Sequence, residues 1–597
     1  MSGGSRLKTD LMSHQKQGLY FLHRREQGLS VFDTTDTTGT NTCKIRGGIL
    51  ADHMGLGKTL TILALITITM DLADAFQAGR NSRACGFILA PRSKATLIVT
   101  PVSTLGNWEE QISSHVKPGE LSYLVYHGRN RHINPAALNS YDIVITTPSI
   151  VAQEWASKHD PLHAIEFYRI VLDEAHDIRT EKTRRSMAIC ALTAERRWAV
   201  TGTPFQNDLS DIATLFKFLK FKPLDTKHGF HNHILADQSG MDNLRSALKA
   251  VCLRRTKVVI EANLPSQSVQ THFLDFNDDE RKLYNTHKQN LIRSGTRNVK
   301  GSAETLRCLS RLRMICDHGQ DLLGADMSSG LAGTGLGITC FVCNQQPPGS
   351  TAFEGLGCSH RSICAGCIEL LPVLDHKLAE CEECSVSEVA TQEAAPSPAA
   401  EIASFPYYQG PSSKVAALLQ AIRSEFSADP PSPKHVVFSV WTQMLNLVGI
   451  ALDKAGIPFC RLDGSMQRAR RDEELRKFRE DPGCVVLLIS LMAGGVGINL
   501  TCASRVHMME PYWNPMVELQ AIERVHRLGQ TQDVVITRYI IRDSIEKYIL
   551  DLQEKKIKLA KEALDVGKAH IMKCDVKKEI LESLDCILSR HSEVVDL

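Results

Sequence analysis

The chain has 597 residues, with 69 Lys and Arg against 67 Asp and Glu, 43% hydrophobic residues and 18 cysteines. That length predicts several domains, each burying its own core, and a formal net charge of +2 excludes a generally basic coat, so nucleic-acid binding would need local positive grooves and hydroxyl or backbone contacts to phosphate. No charged-then-apolar leader follows Met1, and the longest apolar stretch, near residues 60–70, is too short to span a bilayer, so no membrane partner is expected.

In chain order, apolar β-branched runs at 48–51, 96–100, 141–146, 169–172 and 198–200 alternate with helical stretches. Unbroken runs of this kind read as buried parallel strands. A polar stretch at 33–42 reads as a surface loop. Residues 240–320 combine helical apolar spacing with many basic residues, including Leu253-Arg254-Arg255-Thr256-Lys257, and predict a helical protrusion. Seven cysteines then crowd between Cys340 and Cys384 while eleven are scattered elsewhere, the pattern of a metal cluster in a reducing compartment. The Ala-, Ser-, Pro- and Gly-rich stretch 385–412 is a linker. Strand-like runs restart at 435–440, 485–490, 505–509 and 534–541, so two α/β lobes are expected. The domains this predicts are a first lobe at 1–235, the protrusion at 236–335, a zinc-binding insert at 336–388, a linker at 389–412, a second lobe at 413–560 and a helical tail at 561–597.

The run Ile49-Leu50-Ala51-Asp52-His53-Met54-Gly55-Leu56-Gly57-Lys58-Thr59 is a strand, a glycine-bearing loop and the start of an apolar helix, the context of a nucleotide-binding loop. Gly55 and Gly57 let backbone N–H groups turn toward phosphate oxygens, Lys58 brings a cation to the β- and γ-phosphates, and the Thr59 hydroxyl can ligate Mg²⁺. Asp52 stands where the usual pattern has its first glycine. Downstream, Asp173 and Glu174 follow a strand, where Asp173 can hold Mg²⁺ through water and Glu174 can polarise an attacking water. Gln520, Arg524 and Arg527 are spaced i, i+4, i+7 and would share one helix face. Two guanidiniums converging there favour an anion between them, such as a γ-phosphate. A solvated basic face is the alternative. Thr100-Pro101, Thr147-Pro148 and Ser439 with Thr442 sit at strand ends, where hydroxyls and amides could grip phosphates or act as turn and cap residues.

In the cysteine cluster, Cys340-x2-Cys343, Cys358-x-His360-x3-Cys364-x2-Cys367 and Cys381-x2-Cys384 supply eight soft ligands, enough for two tetrahedral Zn²⁺ sites.

Taken together, these segments resemble the SWI/SNF-type ATPases of helicase superfamily two. The resemblance extends to His14-Gln15, residues 97–101, Thr201-Gly202-Thr203-Pro204-Phe205-Gln206-Asn207, Arg461-Leu462-Asp463-Gly464-Ser465, Gly494-Gly495-Val496-Gly497-Ile498-Asn499-Leu500-Thr501, and Trp513-Asn514-Pro515 leading into His526-Arg527-Leu528-Gly529-Gln530. It implies two RecA-like parallel-sheet lobes and ATP hydrolysis run by Lys58, Thr59, Asp173 and Glu174. Arg524 and Arg527 would be arginine fingers with Gln520 beside them, Gln15 would contact the adenine, and Thr201 and Thr203 would couple nucleotide to DNA. The cysteine cluster resembles a RING finger, whose cross-brace would give one zinc Cys340, Cys343, Cys364 and Cys367, and the other Cys358, His360, Cys381 and Cys384. A RING between the lobes marks a subgroup that pairs translocation on double-stranded DNA with ubiquitin-ligase activity. That resemblance implies a nuclear protein working on DNA, on nucleosomes and with a ubiquitin-conjugating enzyme. A strand-separating helicase, or an adaptor without catalysis whose zinc module is purely structural, are the alternatives. The sequence departs from the family pattern at His53, usually an acid, at Gly319, usually proline, and in Cys381-Glu382-Glu383-Cys384, which lacks a proline before the last ligand and an arginine at Ser385. Beginning so close to Gln15, the sequence is also expected to lack the N-terminal DNA-end-binding domain of larger relatives.

Overall fold

β-Branched runs without polar alternation must be covered on both faces, and in a computed structural model of the chain they form two wholly parallel sheets. The structure describes residues 6–28, 45–79, 90–128, 135–157, 160–179, 181, 183–202, 210–236, 239–256, 264–295, 303–319, 353–355, 362–364, 410–426, 432–464, 466, 468–494 and 498–564. The first sheet holds β1 (Gly47–Leu50), β2 (Arg92–Val99), β3 (Tyr123–Val125), β4 (Ile143–Thr146), β5 (Glu166–Asp173), β6 (Thr193–Val200) and β7 (Cys252–Leu253), in the order β3-β4-β2-β5-β6-β1-β7. Every pairing in it is parallel. The helix Lys58–Ile68 buries Leu60, Ile62, Leu63 and Ile66 in a core with Leu50, Ile98, Val171 and Trp198. Because β5, β6 and β1 are neighbours in register, the segments leaving their C-terminal ends emerge side by side, the usual place for a ligand in an α/β sheet.

The second sheet contains β8 (Gln267–Leu274) and, after a small antiparallel pair of β9 (Phe353–Gly355) and β10 (Ser362–Cys364), β11 (His435–Ser439), β12 (Phe459–Leu462), β13 (Val486–Ser490), β14 (Arg505–Met508) and β15 (Val534–Ile541). Its order is β12-β13-β11-β14-β15-β8, again all parallel. These are the two RecA-like lobes. Among the described residues no single helix is long and apolar enough to cross a membrane.

The chain divides into one unit of Met1–Leu264 with Val496–Asn499 and His526–Thr531, and a second of Pro265–Gly495, Leu500–Val525 and Gln532–Leu597. This corrects two expectations. The first lobe does not end at 235, because the helix Gly240–Val251 leads into β7, which pairs with β1. Nor is 236–335 a separate protrusion: β8 adds to the second sheet, and Tyr284, Leu309, Leu312 and Ile315 of its helices fill the second core. Short β7 and solvent-exposed β8 lack the apolar runs that would have announced them. The expected loop at 33–42, the insert at 336–388 apart from β9 and β10, the linker at 389–412 apart from 410–412, and tail residues 565–597 lie outside the described residues.

Candidate nucleotide site

The loop after β1 turns into the helix Lys58–Ile68 through two glycines in left-handed conformation, Gly55 at φ +81° and Gly57 at φ +79°. Side chains rarely tolerate that backbone, and a Cβ on Gly57 would stand 2.3 Å from the Gln15 amide nitrogen. Gln15 is thereby packed on the loop, with its Oε1 accepting Met12 N–H at 2.9 Å, while the His14 ring lies 3.0 Å from Leu56 O. The Lys58 ammonium donates to Asp52 O at 2.9 Å and to His53 O at 3.4 Å, so it is held across the mouth of the loop. Thr59 is the second residue of the helix and half-buried. Asp52, nearly buried, is bound by Arg255 through its backbone N–H and its Nε, each 3.0 Å from Oδ1. Arg255 also donates to His14 O, and its carbonyl accepts His53 N–H at 2.9 Å. Arg255 was missed as a site residue. A buried acid standing at a glycine position was the available signal, because such an acid needs a cation.

Asp173 ends β5. Its Oδ2 accepts Trp108 Nε1–H at 2.9 Å and the Thr100 hydroxyl at 3.1 Å, and its Oδ1 accepts Glu174 N–H at 3.1 Å. Burial, then the Glu174 charge, pushes its pKa up; the Trp108 bond, the Lys58 charge and Thr100 pull it back. An acid so placed gains from a cation. Glu174 adopts φ +48°, an uncommon conformation for a non-glycine residue that sets it off the strand, 3.4 Å from His176 Nδ1. After β6, Thr201 N–H donates to Leu50 O at 3.1 Å, and a Cβ on Gly202 would meet Met54 at 2.7 Å and Lys58 Nζ at 3.6 Å. One unit thus gathers Gln15, the glycine loop, Lys58, Asp173, Glu174 and Thr201 at neighbouring strand ends. Thr203 lies outside the described residues.

The second-lobe group is built differently from the expectation. Asn514 caps the helix Pro515–Ile522 by accepting Met516 N–H at 3.0 Å. Buried Glu518 anchors it, accepting Tyr512 N–H at 2.7 Å and pairing with Arg538 at 3.0 Å. Gln520 is on this helix, but the helix ends at Ile522, and Arg524 and Arg527 follow on turns. They do not share a helix face with Gln520. Tightened bonds, Arg524 N–H to Ala521 O and Val525 N–H to Ile522 O, close the last turn, and Gly529 at φ +101° redirects the chain.

The strand-end hydroxyls are already engaged. Thr100 orients Asp173, Thr147 caps the helix Pro148–Trp155 by accepting Ile150 N–H, and Ser439 donates to Glu510. All three are buried. They act as cap and orienting groups, so the phosphate-gripping role is withdrawn for them. Of the expected zinc ligands, Cys340, Cys343, Cys358, His360, Cys367, Cys381 and Cys384 lie outside the described residues, and Cys364 closes β10.

A domain model described as the SNF2-related domain matches residues 14–321, and one described as the helicase conserved C-terminal domain matches residues 413–529. The chain belongs to the SNF2-related family. This SNF2-related chain is 34% identical to a putative SWI/SNF-related matrix-associated actin-dependent regulator of chromatin subfamily A member 3-like 1 of Arabidopsis thaliana, over 93% of the chain and 72% of that protein. It is 32% identical to DNA repair protein RAD5A of the same plant, over 87% of the chain and 58% of the relative. With the human helicase-like transcription factor it shares 35% identity over 80% of the chain. The SNF2-related chain spans about half the length of that last relative, 51%.

Proposed function

We propose that the chain is an ATP hydrolase, driven by DNA, that translocates on double-stranded DNA to remodel chromatin or other protein–DNA complexes in transcription or repair. The observation that carries this reading is the gathering of Lys58, Asp173 and Glu174 beyond the ends of β1 and β5, on either side of β6, with the Lys58 charge felt at Asp173 and each acid in a different setting. Asp173 is fixed by three donors and suits a cation, whereas Glu174 is turned off the strand and suits a water. In this reading the left-handed glycines present backbone N–H groups to the phosphates, with Asp52, His53, Met54 and Leu56 shaping the loop. Lys58 moves from the loop carbonyls to the β- and γ-phosphates. Thr59 and Asp173 would hold the Mg²⁺ that accompanies ATP, which would offset the phosphate charge. Glu174 orients the attacking water, and Gln520, Arg524 and Arg527 complete the charge clamp on the γ-phosphate. Gln15, packed on the loop, would read the base.

The names of the relatives, a chromatin regulator and a DNA repair protein, support a nuclear site of action with nucleosomes among the substrates. The eight-ligand set from Cys340 to Cys384 would hold two Zn²⁺ in a RING-like insert, with a ubiquitin-conjugating enzyme as its partner. The departures at 382–385 weaken that ligase surface, and a purely structural zinc module is the second reading they favour. The function is tested by ATP-dependent displacement of a third strand from a triplex. Displacement without unwinding of a forked duplex is expected. Unwinding would make the chain a strand-separating helicase, and neither result would leave an adaptor.

A further inference from the structure

The helix Ala303–His318 is the last described helix before the insert in sequence, and its buried face reaches the strand-end turns of the second unit. Arg313, 5% exposed, lies with its guanidinium 5.4 Å from the centre of the Trp441 ring and 5.3 Å from that of Trp513. Its Nη2 donates to Pro511 O at 3.1 Å. Trp441 is the N-cap of the helix Thr442–Lys454, and Trp513 immediately precedes Asn514, the cap of the helix Pro515–Ile522. One side chain therefore pins the first turns of two helices, and the second of these carries Gln520 and hands the chain on to Arg524.

One turn further along the same helix, Asp317 binds buried Lys414 at 2.8 Å, and Lys414 donates to Met509 O at 2.6 Å, a second tie to the turn after β14. Neither indole N–H, of Trp441 or of Trp513, has a hydrogen-bond partner among the described residues. Other bonds also hold these turns, Tyr512 N–H to Glu518 and Lys556 Nζ to Trp513 O at 3.2 Å in one, and Ser439 Oγ and Val440 N–H to Glu510 in the other; Arg313 adds a flat cation over both rings and a bond to one carbonyl. Filling that volume needs no charge, and a flat group with fixed donors does more than fill it.

We infer that Arg313 is a positioning residue for ATP hydrolysis: it holds the 511–514 turn, and through it the 520–524 segment, and so links the helix leading into the insert to the arginines of the second lobe. The inference rests on the ATPase reading above. Its test is steady-state ATP turnover of the full chain at saturating duplex DNA. Arg313→Lys keeps the charge and loses the flat fork; it should lower kcat on the order of 10- to 100-fold, the range for displaced reacting groups, with KM for ATP near wild type. Arg313→Gln, measured alongside with thermal melting, is read in the same way, so a folding defect in one variant does not decide the matter. In an Arg524→Ala background the same substitutions should add little, because both changes remove one function. Wild-type kcat in folded Arg313→Lys, or a loss that multiplies in full with Arg524→Ala, overturns the inference and leaves Arg313 as packing. An inactive wild-type chain overturns the ATPase reading and this inference together, whereas an active wild type indifferent to Arg313 overturns the inference alone.

Discussion

Lys58 and Glu174 stand beside the same loop and do different work, so their removal should have different signatures. Lys58→Ala removes the cation now held by Asp52 O and His53 O and should abolish both ATP binding and turnover. Glu174→Gln keeps the size of the side chain and removes the water-orienting carboxylate; it should abolish turnover and leave binding. Nucleotide affinity measured on both proteins checks this, and equal loss of binding would contradict the assigned roles. Arg255 makes a second case. Its side chain is the counterion of buried Asp52, and Arg255→Ala leaves that carboxylate uncompensated at a cost of about 3–5 kcal/mol, the general penalty for breaking a buried pair. A first lobe that melts at the wild-type temperature in this variant would argue against the clamp. The sequence showed Lys58, Asp173 and Glu174 because their chemistry is local to short motifs. Arg255 stayed hidden because it meets Asp52 only after about two hundred intervening residues have folded, and nothing in its own basic run points to a partner.

Central strands were legible wherever both faces are covered: β1, β2, β5, β11, β13 and β14 all overlap the β-branched runs that the sequence shows. Edge strands were not, since β8 meets solvent along its length and carries no such run. The expected arginine face failed for another reason, because periodicity cannot see where a helix stops. Between the central strands of the second sheet the structure holds a histidine pair with its own consequence. His435 Nδ1 lies 3.0 Å from His507 Nε2, and His507 Nδ1 lies 3.0 Å from the Tyr539 hydroxyl. Burial pulls His435 down to about 4 against the opposing Glu425 charge, with Arg505 adding to the fall, and burial with the charges of His435, Arg505 and His272 pulls His507 well below its ordinary value. In the unfolded chain both take up protons near pH 6.5. For His435 the unfolded state therefore binds more protons between about 6.5 and 4, and stability is lost as pH falls through that window; His507 contributes loss in the same direction. Melting of wild type and of His435→Gln/His507→Gln across pH 4.5–7.5 checks this; identical slopes would contradict it.

At the scale of the whole chain, two lobes have separate cores, and the insert interrupts the second of them in sequence, after β8 and its helices and before β11. The insert's large apolar residues between Cys340 and Cys384, Phe341, Val342, Ile363, Ile368, Leu370 and Leu371 with Phe353, Leu356, Val373, Leu374 and Leu378, are too few to offset the entropy of ordering it. Zinc should therefore determine its fold, with two Zn²⁺ per chain by elemental analysis. Cys364→Ser should unfold residues 340–384 and leave basal ATP hydrolysis largely intact, because the two sheets have their own buried cores; loss of hydrolysis along with zinc would show that the insert is part of the engine. Two lobes and their order were readable because the alternation of apolar runs starts, stops and restarts. The division of residues 236–335 between them was not, because it is decided by pairings of β7 with β1 and β8 with β15, partners distant in sequence. As an ATPase answering to double-stranded DNA, the chain should turn over ATP in step with the DNA offered to it. ATP turnover of the intact protein, measured side by side with no DNA, single-stranded DNA, duplex and nucleosomes, tests it most directly. Low basal turnover raised strongly by duplex and by nucleosomes is the predicted result, and turnover that is absent throughout, or raised by single strands alone, would contradict it.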